Sequence, residues 1–107
     1  MVLAKDERIK KEVIRLTRIF TKLDKKGKAV IDGLVKRAAY MRVTLEDMEN
    51  DLDIKGFTEL FSQSEKLDPY ERERPVARLY NSMNKNYQSI MKQLSEFLPK
   101  NEKVDNE

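Results

Sequence analysis

Three stretches of the chain repeat apolar residues at alternating intervals of three and four, and this periodicity restricts the fold more than any other feature. Such spacing places apolar side chains on one face of an α-helix and does not fit the every-second-residue alternation of a half-buried strand. The pattern covers residues 5–23 and 28–53, and a third stretch from Pro75 to Pro99. The periodicity therefore predicts three amphipathic helices, of which the second and third are long.

Glycine and proline mark the ends of these stretches. Gly27 follows the first pattern and Gly56 follows the second, and glycine commonly ends a helix. Pro75 suits the first position of the third helix and Pro99 ends it. Packed against one another, the three apolar faces should bury a shared core. The residues expected to be buried there are Leu34, Met41, Leu45, Met83, Tyr87 and Ile90.

Residues 57–73, between the second and third helices, have no helical stripe. They are read as a loop or as a short β-hairpin. A short turn and one longer connection joining three helices predict an all-α, antiparallel three-helix arrangement. Residues 1–99 would form this single helical domain, and the polar residues 100–107 would be a disordered tail.

The chain of 107 residues contains neither histidine nor cysteine. Serine–histidine–aspartate triads, cysteine–histidine nucleophiles, the common zinc sites and disulfides are thereby excluded. We expect a protein that is not an enzyme and that uses no cofactor or metal. The opening MVLAKDERIKK has no apolar core typical of a signal peptide, and no apolar run approaches membrane length. A cytoplasmic protein without a membrane partner is expected.

Charge is distributed unevenly along the sequence although the net charge is only +3. Residues 1–42 contain 13 Lys and Arg against 5 Asp and Glu, whereas residues 43–73 contain 3 against 10. The remaining residues, 74–107, contain 6 against 4. A basic first part and an acidic middle part indicate one surface for an anionic partner and another for a different contact.

Six basic residues recur at helical spacing through the first helix and into the following turn. They are Arg8, Lys11, Arg15, Arg18, Lys22 and Lys25. A solvated helix face usually mixes charges of both signs, because oppositely charged residues four apart stabilise a helix and like charges destabilise it. The stripe therefore predicts contact with the phosphates of double-stranded DNA. An ordinary charged face is the alternative.

Five acidic residues crowd the end of the second helix: Glu46, Asp47, Glu49, Asp51 and Asp53. Carboxylates could hold Mg²⁺ for nuclease chemistry, but these wrap around the helix and do not converge on one point. A surface that meets a basic partner and a plain solvated face both remain open.

The second helix also has apolar residues outside its main stripe, among them Val30, Val35 and Val43. Either this helix is central and touches two neighbouring helices, or it also meets another subunit. In the second case these valines form the centre of the interface and Glu46, Glu49 and Asp53 its charged rim. Because an acidic patch would then face a basic patch of the next subunit, the pattern predicts a head-to-tail oligomer larger than a dimer.

The last part of the chain resembles a known protein family. The segment Arg74-Pro75-Val76-Ala77-Arg78-Leu79-Tyr80-Asn81, followed by Lys85, Leu94 and Leu98-Pro99, is similar to the C-terminal part of small terminase subunits of tailed bacteriophages. In that family, proline opens a helix, asparagine follows six residues later, and a leucine-rich end runs into proline. A long helix ending in glycine and a short irregular or hairpin segment precede it. The resemblance covers residues 28–99.

The resemblance implies a non-enzymatic component of DNA packaging. Small terminase subunits assemble as rings, bind viral DNA near the start of packaging, and deliver it to a large subunit that contains the ATPase and the nuclease. No catalytic residue carries over to this chain. A helical adaptor or scaffold that binds only protein is an alternative. A transcriptional regulator with a short recognition helix is a further one, which the long second helix disfavours.

Overall fold

The computed structural model describes residues 4–99, which form three helices and one two-stranded hairpin. In chain order the elements are α1 (Lys5–Ile19), α2 (Lys25–Lys55), β1 (Thr58–Phe61), β2 (Tyr70–Glu73) and α3 (Pro75–Ser95). The predicted helical fold with long second and third helices is confirmed. Of the two interpretations of residues 57–73, the hairpin is the correct one. The predicted tail, residues 100–107, lies outside the described residues.

The boundary between α1 and α2 differs from the predicted one. The sequence places the break at Gly27, whereas α1 already ends at Ile19 and α2 begins at Lys25. The reason is a helix cap, because the Asp24 carboxylate accepts a hydrogen bond of 2.7 Å from the backbone N–H of Gly27. This bond satisfies one of the free donors at the start of a helix. Gly27 therefore lies in the first turn of α2.

Helix α2 is the central element, and α1 and α3 both pack antiparallel to it. Arg8 near the start of α1 contacts Asp47 near the end of α2. Tyr80 near the start of α3 contacts Glu49, again near the end of α2. The other ends of α1 and α3 meet the first half of α2, where most of the buried apolar residues cluster.

The main core lies at the end of the molecule where α1 turns into α2. Its buried members are Leu16, Phe20, Ile31, Val35, Ala38, Ile90 and Leu94. Of the six residues predicted to be buried, Leu45 and Ile90 are buried. The other four are half-buried: Leu34, Met41, Met83 and Tyr87. A chain this short has too little structure to cover all of its apolar stripes completely.

The predicted interface centre on α2 needs a correction. Val35 and Val43 are each only 2% exposed, and Val35 belongs to the main core, whereas Val30 is 60% exposed. The prediction that Val35 and Val43 face another subunit is therefore wrong, because the chain's own side chains cover them. Their position off the main stripe reflects the two neighbours of a central helix.

The hairpin extends the far end of α2 in a molecule 64 Å long. Strand β1 pairs antiparallel with β2, with Thr58 opposite Glu73 and Phe61 opposite Tyr70. Gly56 makes the turn out of α2 with φ at 83°, a conformation that side chains with a Cβ rarely adopt. Among the helices of residues 4–99, none combines the length and the apolar character needed to cross a membrane.

Candidate nucleic-acid interface

The six basic residues predicted to contact DNA do not form one uniform surface. Arg8, Lys11, Arg15 and Arg18 lie on α1, Lys22 lies in the turn, and Lys25 is the first residue of α2. In the first part of the stripe, Arg8 and Arg15 pair with acidic side chains of the same chain. The last part surrounds the turn between α1 and α2.

Arg8 connects α1 to the acidic end of α2. Its guanidinium donates to Asp47 at 2.5 Å and to Glu46 at 3.3 Å. The hydrogen bond to Asp47 raises the pKa of Arg8. The basic beginning of the sequence and its acidic middle thus meet within a single molecule, and Arg8 contributes to packing of α1 on α2.

Arg15 is neutralised by a residue of its own helix. Glu12 accepts two hydrogen bonds from the Arg15 guanidinium, at 2.8 and 2.7 Å, and thereby raises the pKa of Arg15. Arg42 of α2 lies in the same groove between the helices. It donates to the Tyr87 hydroxyl at 3.3 Å, and its pKa is raised by this bond. In the groove between α1 and α2, the predicted face of like charges is therefore a network of basic and acidic side chains.

The acidic cluster of α2 is also largely occupied within the chain. Glu46 pairs with Arg8 and Arg42, and Glu49 accepts a hydrogen bond of 2.8 Å from the Tyr80 hydroxyl. That bond raises the pKa of Tyr80. The predicted interface rim of Glu46, Glu49 and Asp53 consequently keeps only Asp53 as an exposed acid without an ion pair or hydrogen bond among the described residues.

The cations at the other end have a different environment. We use the name basic turn for Arg18, Lys22, Lys25, Lys26 and Lys28, all of which are exposed. Within residues 18–28 the only acidic residue is Asp24, and its carboxylate caps α2. Arg18, Lys25, Lys26 and Lys28 form no ion pair with any residue in the range 4–99. Within the described range, these four cations thus have no carboxylate partner.

Helix α2 begins with charges of the unfavourable sign. The N-terminal end of a helix carries a partial positive charge, which favours acidic side chains and disfavours basic ones. Helix α1 follows this rule, with Asp6 and Glu7 in its first turn. Helix α2 has no acid in its first turn and instead has Lys25, Lys26 and Lys28. Dipole and side chains together attract an anion to this point, at some cost to the stability of the helix.

Two residues of the basic turn were missed by sequence reasoning. Lys26 and Lys28 fall outside the predicted stripe. The stripe follows the spacing of a first helix that reaches Leu23, whereas α1 ends at Ile19. The signal for them is Asp24, three residues before Gly27. A capping aspartate accepts a hydrogen bond from the backbone N–H two or three residues later, so this spacing predicts that α2 begins at Lys25. Across residues 4–99 no group of three potential metal-binding side chains converges, so the acidic cluster forms no such site there.

Comparison with known proteins gives no match. No protein-family model matches the chain, and neither a curated protein nor a solved structure matches it.

Proposed function

We propose that the protein is a non-catalytic DNA-binding component similar to the small terminase subunits of tailed phages. In this proposal it binds double-stranded viral DNA, acts as a homo-oligomer such as a ring, and delivers the DNA to a large packaging subunit in the host cytoplasm. One observation carries the DNA-binding part of the proposal, whereas the packaging role and the ring follow from the resemblance of residues 28–99. The basic turn holds five cations around the positive end of α2. Asp24, the only acidic residue within residues 18–28, caps that helix.

The chemistry of this surface determines how DNA would be bound. Lysine ammonium groups act as point charges toward phosphate oxygens and carry no sequence information of their own. Each neutralised phosphate releases counterions, so the logarithm of the affinity should fall by about 0.9 per contact for each tenfold increase in salt. We expect weak sequence preference and a steep salt dependence.

The variant Lys25→Glu/Lys26→Glu tests the proposal. Acidic residues suit the first turn of α2, so the variant should remain folded and should be at least as stable as the wild type. Its affinity for a mixed-sequence DNA duplex at low salt should fall at least about tenfold. Two lost phosphate contacts should also reduce the salt slope by about 1.8. Fluorescence anisotropy across a salt series measures both quantities.

A control with the same change of net charge separates local contact from general electrostatics. Lys66→Glu/Lys85→Glu alters two exposed lysines that lie outside the basic turn. Its affinity should fall much less than that of the Lys25→Glu/Lys26→Glu variant. Equal losses in the two variants, or unchanged affinity in a folded Lys25→Glu/Lys26→Glu variant, would show that the basic turn is an ordinary solvated surface.

A second candidate function is a helical adaptor or scaffold that binds only protein. Exposed apolar side chains at the hairpin end favour it, with Phe57 at 56% and Leu60 at 76% exposure. Such surfaces are typical of protein contacts. The same titration distinguishes the two functions, because an adaptor would show no measurable affinity for duplex DNA even at low salt.

A further inference from the structure

The hairpin projects from the helices with its apolar side chains uncovered. The six large apolar residues exposed at this end of the molecule are Ile54, Phe57, Leu60, Leu67, Tyr70 and Leu79. No residue of β1 or β2 is buried. An isolated two-stranded hairpin is marginally stable in water, and packing against a helix or further strands is what usually stabilises it. Among the residues that the structure describes, nothing covers the hairpin as such an element is normally covered.

One face of the hairpin is closed by its own side chains. Arg72 donates to Glu59 at 2.8 Å and lies 3.5 Å from the centre of the Phe61 ring. Tyr70 packs edge-on against the same ring, with 5.9 Å between centroids. Side chains two positions apart on a strand point to the same face. The pairs Glu59–Arg72 and Phe61–Tyr70 therefore lie together on this face of the hairpin.

The opposite face of the hairpin is apolar and acidic. The pairing register places Leu60 opposite Glu71 and Thr58 opposite Glu73 on it. Segment 57–73 contains five acids and two bases. Three of these acids, Glu65, Asp68 and Glu71, form no ion pair with the described residues. A partner for this face must combine an apolar residue with positive charge.

The outer face of α1 has this composition. Lys11, Ile14 and Arg18 follow one another at intervals of three and four, which places them on one side of the helix. Ile14 is 50% exposed, and neither Lys11 nor Arg18 has an ion pair within residues 4–99. The hairpin of the same molecule does not pack on α1. The matching surface is therefore available to a second copy.

We infer that the hairpin of one copy docks on the outer face of α1 of the next copy, with Leu60 against Ile14 and Glu71 facing Lys11. The inference rests on the proposed function, since it identifies the contact by which the DNA-binding oligomer assembles. The two surfaces differ, so the contact is head-to-tail and closes into a ring when the rotation between copies permits. Pairing of two hairpins is disfavoured because it would bring unpaired acids together.

Sedimentation velocity over a range of protein concentrations tests the apolar centre of this contact. Leu60→Asp should raise the concentration at which half of the protein is assembled by at least about tenfold, because a carboxylate would be buried against Ile14. The matched control is Val30→Asp, which changes an exposed valine on α2, with 60% exposure against 76% for Leu60. It should leave assembly unchanged. Equal effects of the two variants, or a larger effect of Val30→Asp, would overturn the inference.

A charge reversal across the contact tests its orientation. Glu71→Lys and Lys11→Glu should each weaken assembly, and mixing the two variants, or combining both changes in one chain, should restore it. Stronger assembly by Glu71→Lys alone would indicate pairing between hairpins and would contradict the inference. So would a wild-type protein that is monomeric at every concentration, alone and with DNA.

The two proposals fail in different ways. Leu60→Asp leaves the basic turn intact, and Lys25→Glu/Lys26→Glu leaves the hairpin and the outer face of α1 intact. Duplex binding by a protein that stays monomeric at every concentration would overturn the docking and leave DNA binding standing. Assembly that is lost in Leu60→Asp, in a protein without affinity for DNA, would support the docking and overturn the DNA-binding function.

Discussion

The two ends of this molecule are built by different forces. At the end where α1 turns into α2, Leu16 and Leu94 are each only 1% exposed and sit in a continuous apolar core. At the hairpin end, the connection to the helices depends on Arg74. Its guanidinium donates to the Gly56 carbonyl at 2.8 Å and to Asp51 at 2.7 Å. The first end is stabilised mainly by burial of large side chains, whereas at the hairpin end polar contacts add to a smaller buried area that includes Leu52 and Ala77.

The two ends also differ in how their charges are satisfied. At the hairpin end, Arg8, Arg72 and Arg74 each pair with a carboxylate. At the opposite end, Lys25 and Lys26 have no such partner among the described residues. At the well-packed end, the apolar core supplies stability that offsets the unfavourable interaction of these lysines with the start of α2.

The largest effect should come from the core of the well-packed end. Leu94→Ala should lower the free energy of unfolding by about 2–5 kcal/mol, since it removes a fully buried side chain. Leu60→Ala, at 76% exposure, should change it by less than about 0.5 kcal/mol at a protein concentration where the chain is monomeric. Urea denaturation measures both values. Similar losses at the two positions would remove the contrast between the ends.

A glycine at the hairpin end should have the next largest effect. Gly56 has φ of 83° and ψ of 178°, a region that is essentially restricted to glycine. Gly56→Ala should therefore lower the free energy of unfolding by about 1–3 kcal/mol through backbone strain, although no atom would clash with the added Cβ. Thermal and urea unfolding check the value.

The matched control for this substitution is Gly33→Ala in α2. Gly33 lies inside the helix with open space around its Cα, so an added methyl group meets nothing within 4 Å. The free energy of unfolding should rise by about 0.4–1 kcal/mol, because alanine restricts the unfolded chain and favours the helix. Opposite signs for the two glycines are expected. Destabilisation by Gly33→Ala would contradict the helical geometry at that position.

Arg74 tests the polar connection of the hairpin end directly. Arg74→Ala should lower the free energy of unfolding by about 1 kcal/mol through loss of the hydrogen bond to the Gly56 carbonyl. Arg78→Ala is the control, because Arg78 is 82% exposed and pairs with Glu73 only at 3.5 Å. It should have almost no effect. Equal losses would mean that exposed ion pairs, and not the position of Arg74, stabilise this end.

Much of the fold could be predicted from the sequence because apolar spacing is a property of each helix by itself. The three stripes identify α1, α2 and α3, and Pro75 correctly marks the start of the last one. The boundary between α1 and α2 was wrong because a cap depends on one hydrogen bond, from Gly27 to Asp24, and not on periodicity. The assignment of Val35 and Val43 to a subunit interface was wrong because periodicity does not show how many neighbouring helices a helix packs against.

The candidate site was predicted in part for a related reason. A stripe on one helix gives the spacing of basic residues, but it does not show which acids another element brings to them. Arg8 meets Asp47, which is 39 residues away in the sequence, so the pair depends on the packing of α1 against α2. The Arg15–Glu12 pair lies three residues apart and could have been anticipated from the sequence.

The smallest expected effect is a pH dependence confined to the hairpin end. The hydrogen bond from Arg74 lowers the pKa of Asp51. The unfolded chain therefore binds a proton at this carboxyl more readily than the folded chain does, and stability decreases as pH falls. The contribution of Asp51 should be fully present above the ordinary carboxyl pKa of about 4 and should be lost as pH falls through the lower pKa of the folded state.

The variant Asp51→Asn isolates this contribution. The wild type should exceed it in free energy of unfolding at pH 7, and the difference should shrink as the pH is lowered from about 5 toward 2. The effect is small because Asp51 is 30% exposed and solvent screens its charge.

Glu65→Gln, which removes an exposed acid without an ion pair among the described residues, should give a difference that hardly varies with pH. The core of the opposite end contains no buried charged group in the described part of the chain. The loss in free energy of unfolding caused by Leu94→Ala should therefore not vary with pH. If the difference for Asp51→Asn were constant with pH, the Arg74–Asp51 pair would not contribute as an ion pair. The two ends of the molecule would then be stabilised by the same kind of force.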